Sequence, residues 1–224
     1  IKLDADINIM GSINVIEAAI HNKVKKVIFS STAAVYGEPQ YLPIDTKHPT
    51  NPLSPYGLSK YSVERYLYMA RNLYGLNYTI LRYSNVYGPR ERVDGESGVV
   101  AKFLENLLDN NENVIYGNGK QTRDFIYVED VANANIQAIE YGDNKVLNIS
   151  TGEESTVNKL FEIISNLYQK NGTLVYKQSQ KVDIHRSVLD NKDAITMLQW
   201  SVNYDLITGI QKTINHSRNK LLHK

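Results

Sequence analysis

Val24-Lys25-Lys26-Val27-Ile28-Phe29-Ser30-Ser31-Thr32, Ser54-Pro55-Tyr56-Gly57-Leu58-Ser59-Lys60 and Asn77-Tyr78-Thr79-Ile80-Leu81-Arg82-Tyr83 decide the fold. The first is an apolar run that reads as a strand over Val24 to Ser30 and ends in hydroxyl residues. In the second, Ser54 offers a side-chain cap and Pro55 takes the first helical position, where its missing N–H costs nothing. That helix pattern continues to Tyr74, and Gly75 stops it. The third is nearly continuous in apolar character, as strands covered on both faces are. Strand, helix, strand in this order predicts parallel strands joined by crossover helices, an α/β protein.

Outward from this unit the alternation persists. Asp6 to His21 reads as a helix before it. After it come a polar glycine-bearing loop from Glu91 to Gly98, a helix from Val99 to Asn110, and short strands near Val114 to Tyr116 and Arg123 to Tyr127. A helix from Val128 to Tyr141 and a strand from Val146 to Ile149 are expected to return to the first sheet. Thr156 to Gln169 and Tyr204 to Leu222 read as later helices, with Trp200 packing as core after the Leu198 helix.

The chemistry is concentrated in the helix after Ser54. Tyr56 and Lys60 stand four apart and meet on one helix face. A phenol with a pKa near 10 is ionised about one part in a thousand at neutral pH, so a useful base needs a shift of roughly three units, or about 4 kcal/mol. A neighbouring ammonium favours phenolate and supplies part of that. The spacing alone is weak, because the chain has 16 tyrosines and both Tyr116 with Lys120 and Tyr141 with Lys145 repeat it. Those two pairs abut glycine-marked turns and are read as coincidence.

The wider text resembles the extended short-chain dehydrogenase/reductase family, and within it the NAD-dependent sugar-nucleotide epimerases and dehydratases. The matching stretches are Asn8 to Ser12, Phe29 to Gly37, Ser54 to Lys60, Leu81 to Arg90, Tyr116 to Val131 and Arg186 to Asp190, which span nearly the whole chain. In the related dehydratases acidic residues follow the serine or threonine that stands here as Thr32. This chain has Ala33 and Ala34, which favours the 4-epimerase branch.

The resemblance implies an incomplete Rossmann-type doubly wound parallel sheet with a smaller C-terminal α/β substrate lobe. It divides the chain into residues 1–90, a remnant of the NAD-binding domain, and residues 91–224, mainly the sugar-nucleotide lobe, with about 128–150 returning to the sheet. It implies epimerisation at C4 of a UDP-hexose of the glucose/galactose type, through a 4-keto intermediate. Thr32, Tyr56 and Lys60 would be catalytic. Asn8, Ser30, Ser31, Tyr83 and Ser84 would join Tyr56 and Lys60 in holding NAD. Asn85, Val99, Val100, Tyr116, Arg123 and Arg186 would join Thr32 in holding the UDP-sugar, with Arg123 as a diphosphate clamp. A homodimer through the tyrosine-bearing helix and its neighbour follows by analogy. On the residues alone, Thr32 and Asn85 could each serve a nearby backbone group, Arg123 could pair with Asp124 on the surface, and the two valines could be core.

None of the 13 glycines forms a G-x-G-x-x-G or G-x-x-G-x-x-G array, so the turn that cradles a dinucleotide pyrophosphate is not found. The family would place it upstream of Ile1. The chain is therefore expected to bind NAD poorly, and at most to bind a UDP-sugar without turnover. At 224 residues, 42% of them apolar, there is material for one or two domains. A net charge of +1 gives no field for nucleic acid or a membrane surface. Cysteine is absent, which excludes disulfides and thiolate metal sites. The histidines His21, His48, His185, His216 and His223 show no metal spacing and are expected at the surface. The expected compartment is the cytoplasm.

Overall fold

The computed structural model describes residues 1–91, 98–178 and 184–222, with side chains up to Arg218. The elements in chain order are α1 (Lys2–Ala5), a π-helical turn (Asp6–Met10), α2 (Gly11–His21), β1 (Lys26–Thr32), α3 (Pro55–Tyr74), β2 (Asn77–Tyr83) and β3 (Asn85–Tyr87). There follow α4 (Val99–Asp109), β4 (Asn113–Tyr116), β5 (Thr122–Arg123), β6 (Phe125–Tyr127), α5 (Val128–Glu140), β7 (Lys145–Ile149), β8 (Ser155–Thr156), α6 (Val157–Tyr168), β9 (Leu174–Lys177), α7 (Lys192–Leu198) and α8 (Leu206–Leu222).

The principal sheet is parallel, in the order β1-β2-β7. Its two faces bury different cores. Val27, Phe29, Tyr78, Ile80 and Val146 pack against α2 and α3, with Ile16, Val63 and Leu67. Ile28, Leu81, Tyr83, Leu147 and Ile149 pack against α5 and α7, with Val131, Ala134, Leu198 and Trp200. Alternation along each strand sends successive side chains to opposite faces, which is why near-continuous apolar strands are required here. A separate core gathers Phe103, Leu107, Ile115, Phe125, Leu160 and Ile214 from the smaller sheets and from α4, α6 and α8.

Ser54 and Gly75 bound α3 as their chemistry dictates. The Ser54 hydroxyl accepts the Gly57 N–H at 3.1 Å, and Gly75 adopts φ +76° at the C-cap, a conformation open to glycine without penalty. At the far end of the sheet from the hydroxyl residues, Lys26 Nζ donates to the carbonyls of Ala138 (2.6 Å) and Tyr141 (2.7 Å) at the end of α5, and pairs with Asp143 at 2.5 Å.

Several expectations are corrected. The first helix begins earlier, at Lys2, and passes through the π turn before α2. The first strand is shifted to Lys26–Thr32, because its register with β2 pairs Thr32 with Tyr83 and carries the ladder through all three hydroxyl residues. The stretch Arg123 to Tyr127 is two strands, not one. Thr122–Arg123 pairs antiparallel with β8, while Phe125–Tyr127 pairs parallel with β3, and Asp124 turns inward between them. Strand β9, paired with β4, was not foreseen. His48 is 3% exposed: its Nε2 accepts the Gln40 N–H at 2.9 Å and its Nδ1 bonds the Pro49 carbonyl at 2.7 Å. His223 and most of the loop between Glu91 and Gly98 lie outside the described residues. Trp200 is core, its indole donating to the Asp130 carbonyl at 2.9 Å.

Candidate functional site

The C-terminal ends of β1 and β2 open into a cleft of about 310 Å³ lined by Ser31, Thr32, Tyr56, Tyr83, Ser84, Asn85, Val86, Glu91 and Gly98. Small-ligand clefts in open α/β sheets form at such strand ends. Gly57 brings α3 to this edge. A Cβ there would stand 2.7 Å from the Ala34 carbonyl oxygen, so a glycine lets the first turn of the helix close on the turn after Thr32.

Thr32 caps that turn, its hydroxyl oxygen accepting the Ala34 N–H at 3.2 Å. Its own hydroxyl proton is left to donate into the cleft. Lys60 is half-buried, and its ammonium donates to the Ser30 carbonyl at 3.1 Å while lying 5.0 Å from the Phe29 ring centre and 5.8 Å from that of Tyr56. Burial pulls the Lys60 pKa below the ordinary lysine value, with the charge of Asp4 opposing. The Tyr83 hydroxyl lies 3.0 Å from Ser30 Oγ and 2.8 Å from Asn135 Nδ2, and burial raises its pKa. Glu91 accepts the Gly98 N–H at 2.8 Å; burial raises its carboxyl, against that hydrogen bond and the charge of Lys102.

Other expected site residues make contacts of their own. Ser31 is 2% exposed, and its hydroxyl donates to Glu64 at 2.5 Å on the opposite face of the sheet from Ser30 and Thr32. Alternation along β1 turns its side chain inward. Asn8 donates to Asp4 at 2.8 Å and lines a separate groove with Ile7, Gly11, Val15 and Phe29. Val100, 1% exposed, belongs to the second core, and Val99 packs against the same core.

Arg123 is half-buried, its guanidinium donating to the carbonyls of Thr122 (2.8 Å) and Ile184 (2.6 Å). Arg186 forms a two-point pair with Glu154, at 3.1 and 2.5 Å, and is exposed. Tyr116 lies at the exposed end of β4. Asp124 is no surface partner for Arg123. It is 1% exposed, and its carboxylate accepts the N–H groups of Thr151 (2.9 Å) and Gly152 (3.0 Å) and the hydroxyls of Thr151 (2.8 Å) and Ser84 (3.2 Å). Its carbonyl takes the Asn85 N–H at 2.9 Å.

Sequence reading missed Asp124, Glu91 and the buried pair Glu64–Arg82. Two signals were present: Arg82 is the one charge inside an otherwise uncharged strand, and Glu64 follows Lys60 by one helical turn. The repeats of the tyrosine–lysine spacing at Tyr116–Lys120 and Tyr141–Lys145 do lie at strand ends and turns. Among the described residues no group of three or more histidines or carboxylates could hold a metal, and no helix is long and apolar enough to cross a membrane.

A parallel sheet covered on both faces, with a polar cleft where its strands end, is a Rossmann-type α/β arrangement. Residues 2–150 match the NAD dependent epimerase/dehydratase family, and the chain belongs to that family. It is 46% identical over 217 residues to a putative UDP-glucose 4-epimerase of Methanocaldococcus jannaschii, covering 96% of this chain and 70% of that protein. A UDP-glucose 4-epimerase of Thermotoga maritima, solved with UDP-glucose, superposes with TM-score 0.94 at 44% identity, covering 97% of this chain and 71% of the other. A UDP-N-acetylglucosamine 4-epimerase of Methanobrevibacter ruminantium, solved with UDP-N-acetylmuramic acid, gives 0.92 at 36% identity, covering 96% and 70%.

Proposed function

We propose that this chain carries the base and the sugar-nucleotide side of an NAD-dependent C4 epimerisation of a UDP-hexose, of the glucose/galactose type, through a 4-keto intermediate. The observation that supports this reading most is the cleft itself, where Thr32, Tyr56, Tyr83, Ser84 and Asn85 converge from β1, α3 and the end of β2. In this reading Tyr56 takes the proton of the sugar 4-hydroxyl, Thr32 donates to the same oxygen, and Lys60 favours the phenolate. NAD, when bound, supplies the place where the C4 hydride goes and from which it returns.

The residues present fit the nicotinamide-ribose end of such a cofactor: Lys60, Ser30 and Tyr83 form a contiguous polar group at the strand ends. The pyrophosphate end needs a glycine-rich turn that this sequence does not contain. In our reading the chain therefore binds a UDP-sugar but does not turn it over alone. Arg123, Asn85 and Tyr116, with Arg186 at the rim, are proposed for the UDP end, and residues 91–224 for the substrate lobe. Residues 1–90 with about 128–150 form the proposed cofactor lobe. A homodimer through α2 and α3 is proposed from the groove lined by Ile13, Ile16, Ile20, Met69, Leu73 and Tyr74, of which Leu73 and Tyr74 are 66% and 64% exposed. Cytoplasmic residence is part of the same reading.

Calorimetry of the chain with UDP-glucose and with NAD tests it. The expected result is measurable UDP-glucose binding that survives Tyr56→Phe, with NAD no tighter than millimolar. Micromolar NAD affinity overturns the division of labour, and the absence of any UDP-sugar binding overturns the functional reading.

A further inference from the structure

Behind the cleft, on the opposite face of the sheet, a row of polar side chains crosses all three strands. The parallel register aligns Ser31 with Arg82 and Arg82 with Asn148. Glu64 of α3 closes the row from above. Its Oε1 accepts Ser31 Oγ at 2.5 Å and Arg82 Nε at 3.0 Å, and its Oε2 accepts Arg82 Nη2 at 2.5 Å. The Arg82 guanidinium lies 4.7 Å from the Tyr36 ring centre, and the Tyr36 hydroxyl donates to Asn148 Oδ1 at 2.7 Å. Asn148 in turn donates to the carbonyls of Ile44 (2.9 Å) and Asp190 (3.2 Å). Ser31, Glu64 and Arg82 are 2%, 4% and 5% exposed.

A buried ion pair is a poor device for stability, since apolar side chains of similar volume serve as well or better. What it provides is direction. A guanidinium–carboxylate fork holds two elements at one register, whereas apolar contacts tolerate sliding. The apolar anchors of α3, Val63, Leu67 and Ala70, lie in its middle and later turns. Tyr56, Lys60 and Glu64 follow at intervals of four along one side of the same helix. Ser31 sits between Ser30, whose carbonyl receives Lys60, and Thr32, which faces the cleft.

We infer that Glu64 and Arg82 are positioning residues: their bridge to Ser31 fixes how far α3 stands along the end of β1, and so where Tyr56 and Lys60 stand relative to Thr32. This inference rests on the reading of Tyr56 as the base. It predicts that the bridge governs the acidity of one phenol without touching it.

The test is NMR titration of the chain labelled with [¹³Cζ]-tyrosine, the Tyr56 resonance being identified by Tyr56→Phe. Two variants are compared with the unsubstituted chain. Glu64→Leu with Arg82→Met replaces the pair by apolar groups, and Ser31→Ala cuts only the tie to β1. The double variant is expected to melt within about 5 °C of the parent. Its Tyr56 midpoint is expected to rise by about half a pH unit or more, and that of Ser31→Ala by less. An unchanged midpoint in the folded double variant overturns the inference alone; if the double variant does not fold, an unchanged midpoint in Ser31→Ala does so. A parent Tyr56 that titrates near the ordinary phenol value of about 10 overturns the base reading, and the inference with it.

Discussion

The cleft and the region around Asp124 are built differently. The cleft, made by β1, α3 and β2, comes from short segments close in sequence, each with its own local instructions: a serine cap, a proline, a glycine that admits close approach, and hydroxyls at a strand end. The Asp124 region is assembled from remote pieces. Arg123 is held by the Ile184 carbonyl, Arg186 by Glu154, and Asp124 by Thr151 and Gly152. The cleft can be read from local pattern, whereas the Asp124 region depends on long-range hydrogen bonds that no periodicity announces.

The most severe way to break this contrast is Asp124→Ala. It strands several buried donors, and urea unfolding should show a loss of about 3 kcal/mol or more. A loss under about 0.5 kcal/mol would mean that this region is held by its apolar core alone. Next in size, on the proposed assignment of Arg123 to the diphosphate, Arg123→Met should keep the fold but weaken UDP binding roughly tenfold. Unchanged UDP affinity in calorimetry would remove Arg123 from the proposed site. The smallest effect is expected from Arg186→Gln. The Arg186 pair, and then the Thr122 hydroxyl, lower the Glu154 pKa below the ordinary carboxylate range. A depressed folded-state pKa contributes stability that is present above the unfolded value of about 4.3 and lost as pH falls through the folded value. The variant should therefore lose stability slightly at neutral pH and show a shallower acid limb in thermal melts, and identical limbs would show the pair to be inert. The effect is small because the pair is solvent-exposed.

The alternation of strands and helices was legible because each principal strand is buried on both faces and each helix carries its own stop signal. The bounds of α3 and β2 follow from Ser54, Pro55, Gly75 and an apolar run alone. The inward turn at Asp124 was hidden, since an acidic residue beside an arginine reads as a surface pair until the donors from Thr151 and Gly152 are known. The bond from Ser31 to Glu64 was hidden in a different way: three hydroxyls in a row resemble one another in the sequence, and only the pleat divides them between faces. Val100 shows the same limit on a helix, where the residue beside a glycine-bearing loop points into the core. His48 could not be seen as buried because both of its nitrogens are satisfied by backbone groups of its own loop.

Lys26 carries a consequence for assembly. Helix α5 ends with carbonyls that a helix leaves unpaired, and the cation meeting them starts a strand more than a hundred residues earlier in the chain. The later helix is thus finished by an earlier strand. Docking of α5 and seating of β1 support each other, and neutralising that ammonium would loosen the floor of the sheet while leaving its hydroxyl-bearing rim in place.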